Sequence, residues 1–150
     1  MKVKNILVPV DFSECSKNAL VYSIQVAREF CATLDVLYVV PPYYACDPFD
    51  LSEMDRIKNE LCSAAEQKIA TLVLQQVPQG LPVETIVRHG QPVSEIIEAA
   101  KELEADLIII STHGYTGLKH VFLGSTAENV VRHAPCPVLT VREKEHEFLA

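Results

Sequence analysis

The chain has 150 residues, 49% hydrophobic and 22% charged, with a net charge of −7. That length suits one domain burying roughly 70% of the surface its unfolded form exposes, so residues 1–150 are read as a single unit without a linker. The acidic balance argues against broad nucleic-acid binding, and no apolar run approaches the roughly 18 residues of a membrane span.

The first apolar run, in "MKVKNILVPVDFSE", ends at Asp11. It is too short for a signal-peptide core and has no cleavage site after it, so a cytoplasmic location is expected. "NILVPVD" (5–11) reads as a β-branched strand with Pro9 inside it and Asp11 at its exit. Residues 16–31 follow with Ala19, Leu20, Ser23, Ile24, Ala27 and Cys31 on one helical stripe. A second strand, "LDVLYVV" (34–40), precedes "PPYYACDPF", where Tyr43 and Tyr44 either pack the loop or lid a ligand. Residues 51–77 form a long amphipathic segment carrying Leu51, Met54, Ile57, Leu61, Ala65, Ile69 and Leu72. "VETIVRHG" (83–90) is a third strand. Residues 92–103 open with Pro92, a residue suited to a first helical turn, and repeat Val93, Ile96, Ile97 and Ala100. "ADLIIIST" (105–112) is a fourth strand, with 107–110 apolar enough to be buried on both faces, as are 6–10. A short helix over 126–133 and a last strand, "PVLTV" (137–141), complete the chain. Five cysteines, at 15, 31, 46, 62 and 136, lack CxxC or metal-ligand spacing and read as reduced thiols.

Strands alternating with crossover helices must run parallel with right-handed connections, which predicts a doubly wound α/β domain. No helix follows the last strand to cover its outer side, and a bare edge invites pairing with another chain. Ligands in such folds bind beyond the carboxyl ends of the strands. Two strand ends carry unusual chemistry here. One is "VPVDFSE". The other is "STHGYTGLKHVFLGS" (111–125), which holds three of the five glycines. Ser125 and Glu128 have capping-box spacing, so a helix should start at Ser125. Its first turn would present free amides to an anion, although "GS" could equally serve only as a cap. Neither the P-loop pattern nor G-x-G-x-x-G is present.

"ILVPVDFSE", "HGQP", "ADLIIISTHGYTGLKHVFLGS" and "VVRHAPCPVLTVR" together make the chain resemble the universal stress protein (UspA-like) family over nearly its whole length. The resemblance implies a five-stranded parallel sheet of order 3-2-1-4-5 with helices on both faces. It also implies a homodimer through the edge strand Pro137 to Val141. The nucleotide-binding branch of the family carries G-x-x-G, nine residues, then G-[ST]. Here Gly114 and Gly124-Ser125 match that pattern, while Ser111 stands where the first glycine belongs. The implied ligand is ATP, or AMP or ADP, with Mg²⁺ as a companion ion. Pro9, Val10 and Asp11 would meet the nucleoside, the Val39 backbone would read the adenine edge, and Ile110 would pack near the base. Ser111, His113, Gly114, Gly124, Ser125 and Thr126 would surround ribose and phosphates.

Several positions have a plainer alternative. Asp11 could cap the helix starting near Ser13, His113 could bond locally, and Lys119 and His120 could be solvated instead of facing phosphates. His133 is expected at a helix C-terminus. No pair of carboxylates clusters at the phosphate end, so a binding or regulatory role is favoured over catalysis. An adaptor with a vestigial pocket and a slow ATPase are the alternatives.

Overall fold

The computed structural model describes residues 2–42, 51–112 and 124–142, and in it the apolar runs form one parallel sheet. The strands are β1 (Asn5–Pro9), β2 (Thr33–Val40), β3 (Val83–His89), β4 (Leu107–Ser111) and β5 (Val138–Val141). Between them run α1 (Glu14–Phe30), α2 (Leu51–Gln76), α3 (Pro92–Glu102) and α4 (Ser125–His133). The sheet order is β3-β2-β1-β4-β5, the order the resemblance implied.

Strand side chains alternate between faces, so the sheet builds two separate cores. On one face Ile6, Val8, Leu34, Val36 and Ile109 meet Leu20, Ile24 and Ala27 of α1 and Ile69 and Leu72 of α2. On the other, Leu7, Leu37, Val39, Ile108 and Ile110 meet Ile96, Ala99 and Ala100 of α3 and Ala127 and Val130 of α4. β1 lies at the centre and is buried on both sides, as its unbroken apolar run predicts.

Some element ends differ from the sequence reading, each for a local reason. α1 begins at Glu14, because Ser13 caps it and accepts a hydrogen bond from the Ser16 amide at 3.2 Å. Cys31, placed on the buried stripe by spacing, is exposed. It stands just past the helix at φ 52°, and its turn points it away from the sheet. β4 starts two residues late, since Asp106 is occupied elsewhere: its carboxylate accepts from the amides of Lys4 (2.7 Å) and Asn5 (3.1 Å). Those two bonds hold the Asp106 carboxyl below its ordinary pKa. Along α2, Ala65, Ile69 and Leu72 are buried while Met54 and Ile57 are only half-buried and Leu61 is exposed. Among the described side chains the buried stripe is therefore confined to the C-terminal half of that helix. His133 does close α4, with Nδ1 2.9 Å from the Asn129 carbonyl oxygen. Four cysteines, Cys15, Cys31, Cys62 and Cys136, are free thiols, and Cys46 lies outside the described residues.

A carboxylate is buried in the sheet. Asp35 is 6% exposed on β2, opposite Glu84 of β3. Burial, reinforced by the Glu84 charge, raises its pKa. A carboxyl with a raised folded pKa weakens the folded state wherever it is ionised. Asp35→Asn should therefore stabilise the protein at neutral pH. The gain should shrink as pH falls through the raised pKa and vanish below the ordinary 3.8, as urea titrations across that range would show. Ile109→Ala, which empties a fully buried site on β4, should cost about 2–5 kcal/mol in the same titrations.

Candidate functional site

The sheet opens at its carboxyl edge because of Pro9. β1 pairs with β4 through Ile6↔Leu107 and Leu7↔Ile108, and there the register ends although both strands continue. Along a strand, Leu7 and Pro9 turn their backbones the same way, so the next rung toward β4 would need an amide at Pro9. Proline has none. The β1–β4 ladder therefore stops at Leu7, and a cavity of about 590 Å³ lies at these strand ends, lined by Pro9 and Val10 on one side and Ile110 and Ser111 on the other.

On the β2 side, the Val10 amide donates to the Leu37 carbonyl at 2.8 Å, the last bond between β1 and β2. Strand alternation turns the Val39 backbone the same way as Leu37, toward ground that β1 has already left. The chain then makes a tight turn held by hydrogen bonds among Asp11, Ser13 and Ser16. The Asp11 amide donates to Ser16 Oγ at 3.2 Å, and Asp11 Oδ1 accepts from the Ser13 amide at 3.0 Å and from the Ser13 hydroxyl. The Ser16 hydroxyl in turn donates to the Ser13 carbonyl at 3.0 Å. Asp11 thus supports the capping residue of α1 instead of capping the helix itself. Its charge is felt nearby: Tyr38 has a raised phenol pKa, from burial first and from Asp11 second.

The opposite wall is the amino end of α4. This helix does start at Ser125, but the expected capping box does not form. Gly124 is the cap residue, no side chain caps the helix, and Glu128 is paired with Arg132 at 2.9 Å. The Gly124 amide is itself spent on the Thr112 carbonyl at 2.6 Å, which ties the end of β4 to the start of α4. Among the described residues no bond reaches the amides of Ser125, Thr126 or Ala127. Three donors and the positive end of the helix dipole are left facing the cavity.

Pro9, Val10, Asp11, Val39, Ile110, Ser111, Gly124, Ser125 and Thr126 all line this one cavity. His113 and Gly114 lie outside the described residues, as do Tyr43, Tyr44, Lys119 and His120. The sequence reading did not assign Phe12, Tyr38, Lys68, Pro92 or Ile96 to the site, and they also form its walls. Tyr38 and Ile96 read as ordinary core-pattern residues. Lys68 lies on a helix far along the chain, and no local pattern links it to the strand ends. Among the described residues no group of three or more His, Cys, Asp or Glu side chains is placed to hold a metal ion. Nor is any described helix long and apolar enough to cross a membrane.

Comparison with known proteins agrees with this architecture. Universal stress protein MJ0531 of Methanocaldococcus jannaschii is 34% identical over 146 residues, covering 96% of this chain and 85% of its own length. The solved structure of MJ0577, from the same organism, superposes with a TM-score of 0.82 at 29% identity, covering 97% of this chain and all of that one. Two further fold neighbours are a universal stress protein in complex with cAMP (24% identity, TM-score 0.63) and one from Archaeoglobus fulgidus in complex with dAMP (22%, 0.59). They cover 96% and 93% of this chain and 100% and 98% of their own. The Universal stress protein family model matches residues 2–142, and the chain belongs to that family.

Proposed function

We propose that this protein binds an adenine nucleotide (ATP, ADP or AMP) as a regulatory ligand and acts as a cytoplasmic stress protein. The observation that carries this reading is the uncapped amino end of α4, opening on the same cavity as Asp11 and the Val39 backbone. The cavity offers an anion site at one end and hydrogen-bonding groups for a ribose and a base at the other. Phosphates would take the amides of Ser125, Thr126 and Ala127, where helix dipole and donors act together. Ribose hydroxyls would donate to Asp11. The adenine edge would meet the Val39 amide and carbonyl, with Pro9, Val10 and Ile110 as the apolar floor. By the family pattern Ser111, in place of its glycine, with His113 and Gly114 would complete the site, and Mg²⁺ would travel with the phosphates.

Fold neighbours in complex with cAMP and dAMP support the adenine nucleotide class. Ligand binding changes function only by favouring one of two states, so the expected role is a population shift that a partner senses. That partner surface includes a second copy of the chain. Among the described residues β5 pairs only with β4, leaving its other edge open, and Val138 to Thr140 remain half-buried. An antiparallel β5–β5 contact across a two-fold axis would close that edge.

Calorimetry with ATP, ADP and AMP in the presence of Mg²⁺, together with mass spectrometry of ligand released on denaturation, tests the reading. Absence of any adenine nucleotide in both would overturn it. Gly124→Val should weaken binding by at least about 100-fold, equivalent to about 2.7 kcal/mol, while melting is little changed. The Gly124 backbone, at φ −65° and ψ 152°, accepts a valine, so the loss would come from the side chain entering phosphate space. Thr140→Pro removes an amide that faces away from β4, since Pro137 and Val141 carry the carbonyls that bond toward β4. It should weaken dimerisation by at least about tenfold in sedimentation equilibrium without unfolding the chain.

A further inference from the structure

Phe12 stands at φ 65°, in the left-handed region that an aromatic residue seldom occupies. The bonds joining Asp11, Ser13 and Ser16 close the turn around it and hold it there. Backbone strain of this kind persists where the surrounding structure over-determines it, and it gathers at ligand sites. What the strain achieves here is the position of a ring. Phe12 lines the cavity and packs against Tyr38, with ring centroids 4.6 Å apart and planes inclined at 48°. Lys68 Nζ rests over the Phe12 ring, 4.2 Å from its centroid. A π face that already holds a cation is open to a group from outside the core. Lys68 is exposed and, among the described residues, makes no salt bridge, so only this contact holds the ammonium there.

We propose that Phe12 is a specificity-determining residue of the cavity, an aromatic platform on which the planar base of the ligand stacks. Lys68 is then the placeholder that covers the ring until a base displaces it. This rests on the nucleotide reading and adds to it the part of the ligand that is sorted and the residue that sorts it. The placement follows from the fold. Phe12 follows β1, Tyr38 belongs to β2 and Lys68 to α2, which packs over β2 and β3. All three lie on the β2 side of the gap, beside Val39, whereas α4 lies on the β5 side. The base and the phosphates thus fall at opposite ends, and Phe12 discriminates by aromatic surface and not by charge.

The test is calorimetry of adenosine, AMP and ATP against the parent, Phe12→Leu, Phe12→Trp and Lys68→Ala, each checked for an unchanged melting profile. Phe12→Leu keeps an apolar side chain but no ring, and should weaken all three ligands by the same factor, about 5- to 150-fold. Phe12→Trp should retain binding. The chain contains no tryptophan, so its single indole should be quenched as adenosine or AMP binds. Lys68→Ala should bind all three at least as tightly as the parent. Unchanged affinity in Phe12→Leu, a loss that grows with phosphate number, or weakened adenosine binding in Lys68→Ala overturns the proposal while the nucleotide reading stands. A parent that binds none of the three overturns both.

Discussion

The hydrogen bond that cannot form at Pro9 shapes everything at the carboxyl edge of this sheet. A parallel ladder normally continues until one strand ends, and here both β1 and β4 still have residues to spend. Without an amide at Pro9 the β1–β4 ladder stops, and on its other side β1 turns away after Val10, so among the described residues no strand bond reaches the Val39 backbone there. The remaining sheet can tolerate this because the two cores anchor β1 from both faces below the break.

The two ends of the gap then differ for reasons already present in the backbone. At the β4 end, a glycine occupies the cap position of α4, so no side chain competes for the first-turn amides. The same residue spends its own amide on Thr112, fixing where the helix starts relative to the strand. At the β1 end, the Asp11–Ser16 turn is tightly closed by its own hydroxyls and carboxylate, and Phe12 bears the conformational cost. One end is an exposed dipole and the other a rigid turn with an aromatic ring. A ligand with a charged group at one end and a planar group at the other suits that polarity.

Much of this was legible in the chain. Continuous β-branched runs at 6–10 and 107–110 marked the central strands, because only a strand covered on both faces can be apolar at every position. The alternation of strands and helices specified parallel pairing. Pro9, Asp11 and the small residues at 124–126 pointed to the strand ends that line the cavity. Other features were misread where local pattern and spatial setting conflict. Ser125 and Glu128 have the spacing of a capping box, yet a cap forms one residue earlier at Gly124 and Glu128 takes Arg132 instead. Helical spacing put Cys31 on the buried stripe, but a left-handed residue ends the helix there.

By itself, then, the sequence determined the element order, the buried strands and the family motif, because each is encoded in short-range periodicity and spacing. It could not determine which side chains from distant segments would meet. Phe12, Tyr38 and Lys68 come from a turn, a strand and a helix, with more than 50 residues between Phe12 and Lys68. Only the winding of α2 over β2 brings that lysine to the Phe12 ring. Likewise, the motif marked Gly124 as a phosphate contact, while the folded chain spends its amide on Thr112 and leaves the next three amides to face the cavity. Hydrogen-bond partners are a matter of three-dimensional supply, and that is settled only when strand and helix are docked.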